Sequence, residues 1–326
     1  MSVADLITAF LTEIELDTSQ SPEKIEALRD LLEKVLDRGG FGPNAVDLTV
    51  ALSALDELLD ASSLFAPWRD RPKVTVFGSA RTTPSSPLYA MARSLSALMT
   101  ERGWMTITGA GGGIMEASSE GAGRENTLGV NIKLPFEQGA NPFIDVENNL
   151  VSMKYFFTRK VAMTRESRAF VAFPGGLGTL DEAFEILTLL HTGKTDPAPV
   201  VLVDRPGGTF WEKWLEFINE EVIGGEYIGA PDMCLVHLSH DVDDAVKEIE
   251  RFYSNYVSTT IAHGRAAVEV REIPTSEQLK DLAGLVPIFA SGEGFRVEQS
   301  SVTFNFEHRN YANLRLIIDA LNKWVD

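Results

Sequence analysis

The chain has 326 residues, with 29 Lys and Arg against 47 Asp and Glu, so its net charge is −18 at pH 7. This acidic balance argues against a protein that binds nucleic acid polymers, because their phosphate backbones would be repelled over most of the surface. Hydrophobic residues make up 44% of the chain, which is typical of a soluble globular protein. The single cysteine, Cys234, excludes an intramolecular disulfide and a cysteine-based zinc cage.

The sequence leads us to expect neither a membrane span nor an export signal. No apolar run reaches the roughly 18 residues of a membrane span. The first residues carry Asp5 where a signal peptide would have basic side chains. We therefore expect a cytoplasmic protein without a membrane partner.

Residues 1–70 are predicted to form a helical extension. Apolar residues recur at helical spacing over residues 3–14, a second helix is predicted over 22–36, and a third over 44–60. Residues 65–72 are predicted to be a linker. The extension holds 5 Lys and Arg against 14 Asp and Glu, so half of the net charge lies in it.

Residues 71–256 alternate between strand and helix patterns. Strands are predicted at 74–77, 105–108, 128–134, 169–173, 200–203 and 233–238, and helices at 88–102, 114–122, 155–166, 179–191, 210–222 and 242–253. This alternation with short turns indicates a parallel sheet covered by helices on both faces. The predicted fold class is α/β, with a doubly wound, Rossmann-like sheet.

Residues 257–326 are predicted to form a small C-terminal α/β appendix. The strand patterns lie at 267–273 and 301–306, and the helix patterns lie at 276–285 and 313–324. The predicted domains are therefore 1–70, 71–256 and 257–326.

The segment Pro174–Glu182, with the sequence PGGLGTLDE, follows a predicted strand and opens a predicted helix. Its glycines let the backbone approach an anion, and the amide groups at a helix N-terminus attract negative charge. The residues Thr179–Glu182 also match a capping box, so the alternative is that Glu182 only caps its own helix. The glycines and the preceding strand favour a phosphate site.

Other well-known loop motifs do not fit. A dinucleotide fingerprint read from the second glycine cluster, Gly109–Gly113, requires glycine where Ile114 or Glu116 stands. The residues Gly193–Thr195 resemble the end of a Walker A loop, but Thr188 occupies the position of its first glycine. There is no G-x-S-x-G motif, and the five histidines lack metal-binding spacing. We expect no metal site and no cofactor.

One segment reverses the acidic trend of the chain. Between positions 154 and 168 there are five basic residues and one acidic residue, Glu166. The basic residues are Lys154, Arg159, Lys160, Arg165 and Arg168. Charge alone indicates a solvated helix face, but a motif within the segment points to an anion site.

That motif is Arg159-Lys-Val-Ala-Met163, of the form RKxxM. Together with PGGLGTLDE, with Phe77-Gly-Ser-Ala-Arg81 and with the cluster Gly109–Glu116, it resembles the LOG (Lonely Guy) family of nucleotide phosphoribohydrolases. Members of this family were long mislabelled as lysine decarboxylases. The resemblance is closest to the longer bacterial branch and covers about residues 73–256.

Two departures from the family pattern bear on the site. Shorter members carry a histidine before the Arg-Lys pair, where this chain has Phe157 and Thr158. Their GGGxxGxMG loop is replaced by GAGGGIMEA at Gly109–Ala117, a change that bears on the choice of substrate.

The resemblance implies hydrolysis of the N-glycosidic bond of a purine nucleoside 5′-monophosphate, AMP or N6-modified AMP, to free base and ribose 5-phosphate. It also implies that Glu182 and Arg159 are catalytic. The bond breaks through an oxocarbenium-like state that a carboxylate stabilises, and arginine can orient phosphate or assist the departing base. The alternative for Arg159 is a role in a surface ion pair.

The resemblance further implies that the 5′-phosphate is held by Gly175, Gly176, Gly178 and Thr179. The candidates for base and ribose binding are Ser79, Arg81, Gly111, Gly112, Gly113, Met115, Glu116, Lys160 and Glu185. For Glu116 the alternative is a favourable interaction with its own helix dipole.

Two other functions are weighed against hydrolysis, and the family resemblance also bears on the oligomeric state. A non-catalytic nucleotide-binding sensor is the alternative to an enzyme. Lysine decarboxylase is disfavoured, because no histidine is followed by lysine, as the pyridoxal phosphate site of that family requires. The resemblance implies a homodimer or a higher homo-oligomer.

Overall fold

The computed structural model describes residues 26, 30, 45–134, 139–285, 294–306 and 311–325. The helices predicted at 3–14 and 22–36 therefore lie outside the described residues, apart from Glu26 and Asp30, which are helical. The chain divides into two compact units, residues 1–56 and 57–326, and both sheets belong to the second unit. The domain limits inferred from the sequence stay a prediction.

The described helices and strands have the following bounds. The α-helices are α1 (Ala45–Phe65), α2 (Pro87–Glu101), α3 (Ile114–Ala122), α4 (Phe156–Glu166), α5 (Leu177–His191), α6 (Phe210–Phe217), α7 (Val242–Phe252), α8 (Ser276–Leu285) and α9 (Tyr311–Asn322). The strands are β1 (Lys73–Phe77), β2 (Met105–Thr108), β3 (Thr127–Ile132), β4 (Leu150–Met153), β5 (Ala169–Ala172), β6 (Val200–Val203), β7 (Val236–Ser239), β8 (Tyr256–Ala262), β9 (Arg265–Val270), β10 (Arg296–Glu298) and β11 (Ser301–Asn305).

Seven of the described strands form one parallel sheet in the order β4-β3-β2-β1-β5-β6-β7. The chain builds outward from β1 in one direction and then returns to place β5 on the other side of β1. This reversal confirms the predicted doubly wound, Rossmann-like α/β fold. It also defines the crevice at the carboxyl ends of β1 and β5, where ligands bind in such sheets.

Helices cover both faces of the parallel sheet. Every residue of β1 is buried, with Val74 and Val76 packed in one apolar cluster and Phe77 in the other. Residues of α2, α3 and α7 contribute to the first cluster, and residues of α1, α4, α5 and α6 contribute to the second. Burial of both faces explains why these strands are continuous apolar runs in the sequence.

The structure differs from the predicted elements at several places. The edge strand β4 was not predicted, because four residues that alternate between partly and fully buried give a weak pattern. Helix α1 runs five residues beyond position 60 into the predicted linker, since Ala61 and Phe65 pack in the core. Helix α6 ends at Phe217 and continues as a π-helical turn, and a 3-10 helix replaces the first residues of the strand predicted at 233–238.

The C-terminal residues form a second, four-stranded antiparallel sheet in the order β10-β11-β9-β8, and α8 and α9 contribute to its apolar cluster. The predicted α/β appendix is confirmed, although strands β8 and β10 were not predicted. Among the described residues, no helix is both long enough and apolar enough to cross a membrane.

Candidate active site

The loops that follow β1 and β5 meet at the carboxyl edge of the sheet. The amide of Ser79 donates a hydrogen bond to the carbonyl of Pro174 over 3.2 Å, and the amide of Phe173 donates to the carbonyl of Phe77 over 2.9 Å. These bonds hold the PGGLGTLDE loop against the end of β1. The loop therefore lies at the point where the strand order reverses.

The glycine loop presents an open helix N-terminus. Helix α5 begins at Leu177 with Gly176 as its N-cap, and no side chain caps it. Thr179 is thus inside the helix, and the capping-box interpretation of Glu182 is wrong. A side chain at Gly176 or Gly178 would meet no atom within 4 Å, whereas one at Gly175 would overlap the Thr179 side chain. The open glycines suit an anion that contacts backbone amides.

Arg159 of α4 and Glu182 of α5 form a buried ion pair beside this loop. Arg159 donates a hydrogen bond from Nη2 to Oε1 of Glu182, and the two side chains are 9% and 13% exposed. Burial raises the pKa of Glu182 to about 7, while the cations of Arg159 and Lys160 act in the opposite direction. Within the described part of the chain, the Arg159 Nε atom is buried and has no hydrogen-bond partner.

Lys160 lies next to this pair and has its own carboxylate partners. Its ammonium group is 2.7 Å from Asp181 Oδ2 and 2.5 Å from Glu185 Oε2. Burial lowers the pKa of Lys160, but hydrogen bonds to the two carboxylates outweigh this effect and the pKa is raised overall. Lys160 and Glu185 are therefore paired with each other near the catalytic candidates, and their role in base or ribose binding stays a prediction.

The glycine cluster after β2 reaches the same edge. A side chain at Gly109 would lie 3.4 Å from Arg159 Nη1 and closer still to Met115, so glycine admits both side chains. Gly113 has a positive φ of 65° and packs against the backbone of residues 79 and 80, where a side chain would overlap it. Asn141 holds the cluster by donating a hydrogen bond from Nδ2 to the carbonyl of Gly111 over 3.0 Å.

The remaining predicted site residues lie around these loops. The Ser79 hydroxyl accepts a hydrogen bond from the Arg81 amide over 3.1 Å, and the Arg81 side chain is exposed. Glu116 lies in the first turn of α3, 3.7 Å from the place where a side chain at Gly112 would begin. The structure thus brings the candidates from three loops to one sheet edge, and their individual ligand roles stay a prediction.

Glu57 of α1 is a residue that no pattern in the sequence singles out. Its carboxylate accepts hydrogen bonds from the Lys154 amide over 2.7 Å, the Tyr155 amide over 3.4 Å and the Thr158 hydroxyl over 2.5 Å. It thereby caps the N-terminus of α4, whose own N-cap, Tyr155, supplies no side-chain bond. About 100 residues separate Glu57 from these partners, so no local motif reveals the contact.

The basic segment 154–168 does not act as a single anion site. Arg159 and Lys160 lie at the carboxyl edge, but Arg165 and Arg168 lie at the amino edge, lining a separate cavity. Helix α4 runs from one edge of the sheet to the other, so residues at its two ends lie at opposite edges. The five basic residues of the segment therefore do not converge on one place, and only Arg159 and Lys160 lie near the glycine loop.

Two further observations limit the chemistry at the carboxyl edge. The cavity that Glu182 lines has a volume of only about 10 Å³. In the part of the chain that the structure describes, no three His, Cys, Asp or Glu side chains come together as a metal site.

Comparisons with known proteins cover the same region. A profile of the family described as "Possible lysine decarboxylase" matches residues 114–249, which include α4 and α5. The cytokinin riboside 5′-monophosphate phosphoribohydrolase of Mycobacterium marinum is 29% identical over 180 residues, which are 53% of this chain and 91% of that protein. The protein of the same name from Mycobacterium tuberculosis is 34% identical over 143 residues, which are 42% of this chain and 72% of that protein.

Similar folds also occur among solved structures. The molybdenum cofactor binding protein from the phototrophic bacterium Rippkaea orientalis is 22% identical to this chain, with a TM-score of 0.40. The match covers 55% of this chain and 96% of that chain.

Proposed function

Given that this chain belongs to the LOG family of phosphoribohydrolases, we propose that it hydrolyses the N-glycosidic bond of a purine nucleoside 5′-monophosphate. The products are the free base and ribose 5-phosphate. The observation that carries the proposal is the buried pair of Arg159 and Glu182 beside an open, glycine-lined helix N-terminus. The two relatives of the same name, 29% and 34% identical, support this class of reaction.

The 5′-phosphate is bound by the N-terminus of α5. The amides of its first turn have no intrahelical partner, and the helix dipole adds positive potential at this end. Gly176 and Gly178 leave room for phosphate oxygens to reach these amides. Thr179 adds a hydroxyl in the same turn. The base and ribose then extend toward the glycine cluster after β2.

Glu182 acts on the sugar. When the bond between the base nitrogen and C1′ breaks, its electron pair leaves with the base and positive charge develops on the ribose ring. The Glu182 carboxylate stabilises this charge and accepts a proton from the water whose oxygen bonds to C1′. A pKa of about 7 suits this step, because the group then exchanges protons near neutral pH.

Arg159 has two roles in this proposal. Its bond to Glu182 favours the carboxylate form of that group and fixes its orientation. Its buried Nε atom, which has no partner among the described residues, is a donor for the phosphate or the departing base. The departing base takes up one proton, and Glu182 releases the proton that it accepted from water, so that one water is consumed in total and the base leaves as a neutral molecule.

The test is a panel of nucleoside 5′-monophosphates incubated with the full chain, including AMP and N6-modified AMP. Free base and ribose 5-phosphate are measured by chromatography. We expect base release from at least one purine monophosphate, and the panel then shows which base is preferred. Binding of AMP without release of adenine would instead identify a nucleotide-binding sensor.

A further inference from the structure

A cleft rich in arginine lies at the amino edge of the parallel sheet. It has a volume of about 210 Å³ and is bordered by the starts of β1 and β5 and by the segment that leads into β6. Its basic residues are Arg69, Arg71, Lys73, Arg165 and Arg168, and its acidic residues are Glu166 and Asp196. We call it the basic cleft.

The basic cleft is separate from the candidate active site. Strands of four or five residues lie between the two sheet edges, which corresponds to about 15 Å. On α4, Arg159 and Arg165 are six residues apart, or about 9 Å along the helix axis. None of the predicted site residues lines the basic cleft.

Three guanidinium groups of the cleft have no carboxylate partner among the described residues. Arg165 and Arg168 make no side-chain bond to this part of the chain, and Arg69 only reaches the Ser62 hydroxyl over 3.5 Å. Arg71 differs, because it donates to Asn126 Oδ1 over 3.0 Å. Like charges gathered in one concavity repel each other. This cluster of cations stands out in a chain whose net charge is −18.

The backbone beneath the arginines is firmly held. The Arg168 amide donates to the carbonyl of Lys73 over 2.8 Å, and the Tyr253 hydroxyl donates to the carbonyl of Arg168 over 2.6 Å. The Lys73 ammonium lies at the cleft with a side chain only 2% exposed, 3.4 Å from Glu166. Burial lowers the pKa of Lys73, and although Glu166 raises it, the neighbouring Arg168 and Arg71 cations lower it further.

We propose that the basic cleft is a second anion site, which binds a small molecule carrying adjacent phosphoryl groups. Arginine forks match phosphate oxygens in pairs, and the three guanidinium groups without a carboxylate partner among the described residues supply donors for such bonds. The enclosed volume fits a small ligand, and the negative charge of the surrounding chain opposes a nucleic acid polymer. The site is independent of the proposed hydrolase activity.

The probe is inorganic pyrophosphate, titrated calorimetrically into the full chain at fixed ionic strength. The cleft variant carries Arg165→Ala and Arg168→Ala, both at exposed positions. A matched control carries Lys213→Ala and Lys247→Ala, which removes the same charge at exposed positions outside the cleft. A third protein, Arg159→Ala, alters the candidate active site alone.

We expect the wild type, the lysine control and Arg159→Ala to bind pyrophosphate in the cleft, and the cleft variant to lose at least about tenfold in affinity. Pyrophosphate also raises the unfolding temperature of the three binding proteins through the cleft. The unliganded cleft variant unfolds at the same temperature as the wild type or higher, since like charges have been removed. An Arg165→Gln, Arg168→Gln protein repeats the test with polar side chains.

The proposal is overturned by either of two results. One is that the wild type shows no binding, and the other is that the cleft variant binds pyrophosphate with the stoichiometry and affinity of the wild type. An equal loss in the lysine control would show that only the overall charge matters, and it also counts against the cleft.

Discussion

At the scale of single residues, Glu182 is an almost fully buried carboxylate that forms an ion pair with Arg159. Burial raises its pKa to about 7, and Arg159 offsets part of this effect. Neither residue alone is unusual in the sequence. Their contact gives the site a group that changes its protonation state near neutral pH.

The first prediction concerns the two members of this pair. Glu182→Gln and Arg159→Ala each reduce base release by at least about 100-fold, because each removes a group that acts on the reacting bond. Chromatographic rates on the best nucleotide of the panel measure the loss, and circular dichroism checks the fold. The exposed Glu216→Gln serves as a control of unchanged rate. Undiminished base release by Glu182→Gln would remove it from the mechanism.

The pH dependence of kcat/KM provides the second prediction. If the carboxylate form of Glu182 is required, kcat/KM falls as the pH drops below about 7, where that group takes up a proton. Lys160 lowers the pKa of Glu182, so Lys160→Met moves this acid limb to higher pH. A limb that stays in place in Lys160→Met would mean that another group controls it.

At the scale of elements, α4 is the part on which the site depends most. Its N-terminus is capped by Glu57, its first turns carry Arg159 and Lys160, and its C-terminus leads into the basic cleft. The helix lacks a cap of its own. A residue of α1 therefore fixes the position of the start of α4, the helix that carries Arg159 and Lys160. We infer that α1 contributes to the site as well as to packing.

Replacement of this cap is the third prediction. Glu57→Gln weakens the bonds to the amides of Lys154 and Tyr155 just before α4, and we expect a loss of about 1 kcal/mol of stability together with a lower kcat. Glu57→Asp keeps the charge at this position and recovers part of the activity. Urea unfolding and base release are measured with the exposed Asp60→Asn of the same helix as the control. Full activity in Glu57→Gln would show that α4 keeps its place without the cap.

At the scale of the whole molecule, a buried ion pair joins the two sheets of residues 57–326. Arg315 of α9 lies 2.7 Å from Glu248 of α7, and the two side chains are 5% and 4% exposed. Arg315 also contacts Asp319 and packs 4.8 Å from the centre of the Phe252 ring. The C-terminal sheet is thereby attached to the helix that follows β7.

The fourth prediction tests this attachment. Arg315→Met leaves the Glu248 carboxylate buried with less compensation, and we expect the free energy of unfolding to fall by about 3 kcal/mol. Arg251 also contacts Glu248, but its side chain is 53% exposed, and Arg251→Met costs about 1 kcal/mol or less. Urea titrations of both variants give the comparison. Equal losses would mean that burial does not control the strength of these pairs.

Oligomeric state is the fifth prediction. The helices that carry the catalytic pair expose five large apolar side chains: Phe156, Phe157, Val161, Leu177 and Phe184. Exposed apolar side chains on these two helices favour a protein interface. We expect at least a homodimer, with a mass of about twice 35.8 kDa by light scattering. Val161→Asp shifts the protein toward monomer, whereas Val146→Asp, at a position that is also exposed but lies outside these two helices, does not. A mass of 35.8 kDa for the wild type contradicts this prediction.

The elements that could be predicted from the sequence are those with strong local patterns. Strands β2 and β6 and helix α3 were predicted residue for residue, because buried runs and glycine turns mark their limits. The edge strands β4, β8 and β10 were not predicted. The start of α5 was placed too late, because the Thr179–Glu182 pattern mimics a cap that the structure does not form.

By itself the sequence determined the α/β class and, through the paired motifs, the family, because these depend on spacing and residue type along the chain. Only the tertiary structure decided which charges meet. It joined Arg159 to Glu182 and Glu57 to α4, and it sent Arg165 and Arg168 to the opposite edge of the sheet. The physical reason is that burial and pairing depend on distances across the sheet, which residue order along one helix does not specify.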